Sequence, residues 1–205
     1  MRKINFIKAA IVATFLTVGF VGFWLTPKSE MQTLNPIKTP KKVIAGLNKV
    51  KGYKAWTKVS KDNFVMNTAA SIACAAAVRE IPTKGSDIEN SPHKDKYINV
   101  YVNAIGRDEM LTKKNPKFPV GTVVVKEKLV APDSLSPELL TVMIKRKKGF
   151  NPEVGDWEFM TLNGQATEVI SKGKLESCQS CHLDYKQNDY ITRTYLPDDV
   201  ESKLK

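Results

Sequence analysis

Tyr97-Ile98-Asn99-Val100-Tyr101-Val102-Asn103 alternates from residue to residue, with Ile98, Val100 and Val102 on one side and Tyr97, Asn99 and Tyr101 on the other. A period of two is the signature of a strand with unlike faces. Toward the C-terminus, Thr122–Val130 (TVVVKEKLV) is β-branched and follows the turn signal Phe118-Pro119-Val120-Gly121, so it reads as a second strand. Thr141–Lys147 gives a third. Asp156–Leu162 and Gln165–Ile170 flank Asn163-Gly164, a pair that tolerates positive φ and signals a hairpin. About five strands in succession, with no helical pattern between them, predict an α+β fold built mainly on an antiparallel sheet.

The helical signals precede the sheet. Val43, Ile44, Leu47, Val50 and Trp56 recur at roughly helical spacing within Lys42–Trp56, although Gly46 and Gly52 weaken the pattern. An alanine-rich stretch, SIACAAAV, lies within Asn63–Ile81 and ends before Pro82, and Gly85–Lys96 reads as a loop. Cys74 in the alanine-rich stretch reads as a small buried hydrophobe. His93, in Ser-Pro-His, reads as a loop residue.

The N-terminus stands apart from this fold. Arg2, Lys3 and Lys8 precede an unbroken apolar run of 17 residues, Ala9–Leu25, and Pro27 follows it. Basic charge before an apolar stretch of this length marks residues 1–26 as a signal peptide or a membrane anchor. No small-x-small cleavage pair closes the run, since Phe23, Trp24 and Leu25 occupy its end, so both readings stand. Residues 27–42, with Pro27, Pro36 and Pro40, read as a linker. The remaining chain, 43–205, is then expected outside the cytoplasmic membrane, in the periplasm or an equivalent space, free or held at the inner membrane by residues 9–25.

The whole chain has 205 residues, 42% of them hydrophobic, and a formal net charge of +11. That apolar share suffices for a globular core and excludes wholesale disorder. In an exported protein the basic excess does not point to nucleic acid. It fits a lysine-rich solvated surface, or acidic partners and anionic headgroups. Lys145-Arg146-Lys147-Lys148 is its densest patch.

Chemistry concentrates in Cys178-Gln179-Ser180-Cys181-His182. C-x-x-C-H is the attachment signature of c-type haem. Two thiols reach the two vinyl groups as thioethers, and the next residue offers an imidazole to the iron. Zinc would want four protein ligands, and only Cys74 and His93 remain to help, both far away in sequence. A vicinal redox pair lacks the βαβ surroundings of a thioredoxin-like site. One covalent haem c with His182 as iron ligand is therefore expected. No Met and no second His follow His182, so nothing marks a sixth ligand, and an open iron face is expected. An open face suits small-molecule binding or redox catalysis.

The order of several pieces resembles the cytochrome P-460 family, which includes the cytochromes c′-beta. They are Val100-Tyr101-Val102-Asn103, Phe118-Pro119-Val120-Gly121-Thr122-Val123-Val124-Val125-Lys126-Glu127, Gly155-Asp156-Trp157-Glu158-Phe159, the C-x-x-C-H motif and Asp189-Tyr190-Ile191-Thr192-Arg193-Thr194-Tyr195. The resemblance implies a cytochrome P-460-like haem c domain over 43–205 and a homodimer. It also implies a redox partner protein, here expected to be acidic, and either oxidation of small nitrogen compounds (hydroxylamine or nitric oxide) or non-enzymatic binding of nitric oxide or carbon monoxide, or electron transfer. In the hydroxylamine-oxidising members a lysine is joined covalently to the porphyrin rim, and the matching residue is Lys126. From alternation alone, Lys126 shares a face with Thr122, Val124 and Lys128, which reads as a solvated polar face. Those members carry a distal arginine and a distal glutamate where an ungapped alignment puts Ile98 and Thr141, two departures that favour a gas-binding pocket. Glu127 falls on the apolar side, either as a paired buried acid or facing the haem pocket. Arg193 reads as a partner of a haem propionate or as a surface charge.

Overall fold

The computed structural model describes residues 41–66 and 95–204, with side chains from residue 46 onward. The N-terminal apolar run, all but the last two residues of the expected linker, Cys74, the alanine-rich stretch and His93 lie outside the described residues. Among the described residues, no helix is long and apolar enough to cross a membrane. What is described belongs to one compact unit, Lys38–Lys205.

Six strands form one antiparallel sheet whose spatial order follows the chain: β1 (Thr57–Lys58), β2 (Tyr97–Val102), β3 (Val123–Leu129), β4 (Leu139–Lys145), β5 (Trp157–Asn163) and β6 (Val169–Gly173). The expected antiparallel sheet is thus present, with the short β1 added at one edge. Among the described residues four α-helices accompany it: α1 (Lys41–Val50), α2 (Arg107–Thr112), α3 (Glu176–His182) and α4 (Asp198–Leu204). The third strand begins and ends two residues earlier than the sequence pattern suggests. Arg146 N–H still bonds in register to the Asp156 carbonyl, and the ladder ends there because Asp156 takes the left-handed region (φ 63°).

The last strand is displaced further, from the expected Gln165–Ile170 to Val169–Gly173. Asn163-Gly164 does not make a two-residue turn. The Asn163 side-chain oxygen accepts the N–H groups of both Thr167 and Glu168, which rounds residues 164–168 into a longer loop. A β-carbon on Gly164 would stand 1.7 Å from the Pro137 carbonyl oxygen, so the loop packs against the β3–β4 connection only because glycine is there.

Cross-strand pairing assigns each residue to a face. On the first face, Val102, Val124, Met143 and Phe159 form one row, and Val100, Lys126, Thr141, Thr161 and Ser171 form the next. The chain after β6 covers this face, with Tyr190, Ile191, Tyr195 and Leu196 packed against Val102, Trp157 and Phe159. On the second face, Val123, Val125, Leu140, Val142, Ile144, Met160 and Leu162 pack beneath Val50, Leu47 and Tyr53 of α1 and the turn after it. Each large apolar side chain buried this way stabilises the fold by ~1.5–3 kcal/mol. Both faces of β3 are therefore covered, which corrects the expectation of a solvated polar face. Lys128 is 1% exposed and pairs with Glu138 at 3.3 Å.

Candidate haem site

β6 ends at Gly173, and the chain turns into α3, which carries both cysteines and ends on His182. The Leu175 carbonyl accepts the N–H groups of Cys178 and Gln179, closing the first turn. A separation of three residues sets Cys178 and Cys181 on one side of this helix. Cys178 rests against the first-face core, Cys181 is exposed, and neither is in a disulfide.

His182 lies against Phe159, ring centroids 5.3 Å apart. Its Nδ1 is 2.7 Å from the Tyr190 carbonyl oxygen. A carbonyl can only accept, so Nδ1 carries the proton and Nε2 keeps its lone pair. Burial pushes the imidazole pKa down to about 4, and the nearby Lys126 charge lowers it further, against the Tyr190 carbonyl that raises it. A neutral imidazole with a fixed tautomer and an available Nε2 is the form that binds iron. The donor set and its helix therefore fit a haem held by two thioethers and one histidine.

Lys126 stands half-buried in the middle of β3, directly opposite Thr141 on β4. Its Nζ lies 4.0 Å from the Met66 sulfur, and its charge reaches His182. Of the residues singled out in the sequence, Lys126, Thr141 and His182 thus share the first face. Ile98 is on that face too, 4% exposed, but one row further along, opposite Lys128; Val100 faces Lys126 instead. Glu127 does not face the pocket. It lies on the second face, accepting from Tyr53 (2.6 Å) and Asn99 (3.0 Å) with Lys54 at 3.6 Å, so it is the paired buried acid.

Arg193 is neither a surface charge nor an open fork. It is 7% exposed, and its terminal nitrogens reach the carbonyls of Met110 (3.3 Å), Lys113 (2.7 Å) and Lys114 (3.0 Å) at the end of α2. The basic patch is likewise half internal, since Lys145 pairs with Asp189 and Arg146 with Glu158, leaving Lys147 and Lys148 exposed.

Sequence reasoning passed over Met66, and it gave Asp189 and Tyr190 no role beyond the family resemblance. A backbone acceptor has no side-chain signature. The one available signal was Asp189, a residue type that tolerates the left-handed region it occupies here (φ 51°).

The family model for cytochrome P460 matches residues 50–193, most of the chain and nearly all of this site. No curated protein matches the chain. With the C-x-x-C-H helix, the Nδ1-anchored histidine and this match taken together, the chain belongs to the cytochrome P460 family and is a haem-iron cytochrome.

Proposed function

We propose that the protein is an exported mono-haem c cytochrome with an open iron position, acting as an oxidoreductase on small nitrogen compounds, hydroxylamine or nitric oxide. Cys178 and Cys181 would hold the haem as thioethers and His182 would ligate its iron through Nε2. The observation that carries the reading is the His182 Nδ1 contact with Tyr190, on the same sheet face as Lys126. Bound haem supplies one-electron chemistry at iron. The protein's own contribution is to fix the imidazole tautomer, to cover one side with Phe159 and to present a lysine on a rigid central strand. In this reading Lys126 is joined to the porphyrin rim, as in the family members that oxidise hydroxylamine.

A second reading, a module that binds nitric oxide or carbon monoxide or transfers electrons, is favoured by one observation. The strand residues on the first face include no Asp or Glu, and Thr141 stands opposite Lys126 where a carboxylate would serve as proton acceptor.

The readings separate on protein matured in a host competent for haem attachment. Cys178→Ser and Cys181→Ser should each lose haem from a denaturing gel stained for haem. Intact mass and peptide mapping should find Lys126 on the haem peptide, with a ferrous Soret band well to the red of ordinary haem c. A free Lys126 peptide in full yield rejects the crosslink, and with it the first reading's chemistry. Hydroxylamine-dependent reduction of an electron acceptor tests the reaction itself. Export through residues 1–26 to the periplasm, with or without retention at the membrane, belongs to the same proposal, because thioether attachment takes place outside the cytoplasm. Cell fractionation and N-terminal sequencing check it. An acidic redox partner meeting Lys147 and Lys148, and a homodimer, complete it.

A further inference from the structure

The Tyr190 carbonyl that receives His182 comes from an unusual piece of backbone. Asp189 and Tyr190 are successive non-glycine residues with positive φ, 51° and 64°. Such conformations cost free energy and persist where the surroundings over-determine them. The 3-10 helix Leu183–Asn188 follows α3 and is capped by Asp189, and past it the Tyr190 carbonyl, eight positions after the histidine, meets Nδ1.

The carboxylate and the carbonyl of Asp189 are tied to β4, β5 and the segment before β3, while its N–H bonds the Lys186 carbonyl. Its carboxylate accepts the Phe118 N–H at 2.9 Å and is bridged by Lys145 Nζ at 2.8 and 2.7 Å. Its carbonyl accepts the Trp157 indole N–H at 2.8 Å, and the Lys145 ammonium lies 4.9 Å from the Trp157 ring centroid. Both side chains of the ion pair are nearly buried, 8% exposed for Asp189 and 12% for Lys145. A β-carbon on Gly155 would stand 2.8 Å from an Asp189 carboxylate oxygen and 2.7 Å from the Tyr190 ring, so the segment after η-turn Pro152–Val154 closes the remaining side.

We infer that Asp189, clamped by Lys145, Trp157 and Phe118, is a positioning residue that sets the strength of the hydrogen bond on the proximal histidine and thereby the electron density its Nε2 delivers to iron. The inference rests on His182 being the iron ligand. A short, well-aimed bond from Nδ1–H to a fixed acceptor makes an imidazole a stronger donor and favours the oxidised metal. A clamp that merely fastened the C-terminal segment to the sheet would affect stability and leave that bond alone.

The test uses full-length, haem-loaded protein, with haem content measured first, then the ferrous iron–histidine stretching band by resonance Raman and the midpoint potential by redox titration. Asp189→Ala and Lys145→Met should move the band to lower frequency and the potential to more positive values. Asp189→Asn, which keeps an acceptor for the Phe118 N–H and tolerates positive φ, should fall between them and the native protein. Should Asp189→Ala fail to load haem, Lys145→Met and Trp157→Phe, which leave residues 189 and 190 in place, decide in the same way. Loaded variants with the native band and potential, changed only in stability, overturn the inference while leaving the cytochrome reading intact. A His182→Ala variant that loads haem and keeps the native band and potential removes His182 as ligand and overturns both.

Discussion

Arg193→Ala would strip the donor from carbonyls at and just after the end of α2, that of Met110 in a buried contact and those of Lys113 and Lys114 in part-buried ones. Unpaired buried acceptors cost ~1–3 kcal/mol, more when the lost partner is charged. The expected outcome is a clearly lowered urea midpoint with covalent haem still attached, measured by denaturation of the loaded protein alongside a haem stain. A propionate partner would show the opposite pattern, weak effect on the fold and an altered haem environment. At this scale the sequence is legible only where chemistry is written in spacing. Cys178, Cys181 and His182 declare themselves because their interval is the one that thioether attachment would demand. Glu127 and Arg193 do not, since their partners Tyr53, 74 positions away, and Lys113, 80 positions away, are brought near only by the fold.

The connection into β5 also depends on one small residue. Gly155 has φ +64°, and any side chain there meets Asp189 and Tyr190 below 3 Å. Gly155→Ala should therefore push the Asp189–Tyr190 segment away from β5 and loosen the histidine. Overpacking of this kind costs ~1–3 kcal/mol. Reduced haem loading on maturation, together with a lower thermal midpoint, checks it; normal loading and stability would show that the turn can yield without disturbing α3. The strands themselves were readable because β-branched alternation survives burial on both faces. Their ends were less so. The Asn163 side chain captures two downstream N–H groups and delays β6, and the left-handed Asp156 ends the β4–β5 ladder, and neither event shows in the alternation. The short α3, anchored from Leu175, is set by its packing more than by its own propensity.

Across the whole sheet, one acid joins three strands' ends. Glu138, just before β4, accepts from Lys96 at the start of β2 (2.9 Å) and lies 3.3 Å from Lys128 in β3. Burial alone would raise its carboxyl pKa, but the Lys96 hydrogen bond and the Lys128 charge outweigh that and hold it below the usual carboxylate value. A depressed folded-state pKa means stability that is fully present above the unfolded value of about 4.3 and lost as pH falls through the lower folded value. Urea midpoints followed from neutral pH downward should therefore drop in acid, and Glu138→Gln should be less stable than native at neutral pH yet lose less of its stability on acidification. Parallel pH profiles for the two proteins would remove Glu138 from the acid response.

Strand order that repeats chain order has a kinetic consequence. Each of the four ladders from β2 to β6 joins strands next to one another in sequence, and the last is complete at Gly173, before the first cysteine of the C-x-x-C-H motif at 178. Closure of neighbouring segments is the least entropically demanding way to assemble a sheet and favours rapid folding for a β-rich chain. As the chain emerges N-terminus first, the β2–β6 scaffold can zip up hairpin by hairpin while the C-x-x-C-H segment is still to come. The thiols then arrive at a platform already built, with α3 as the last piece laid upon it.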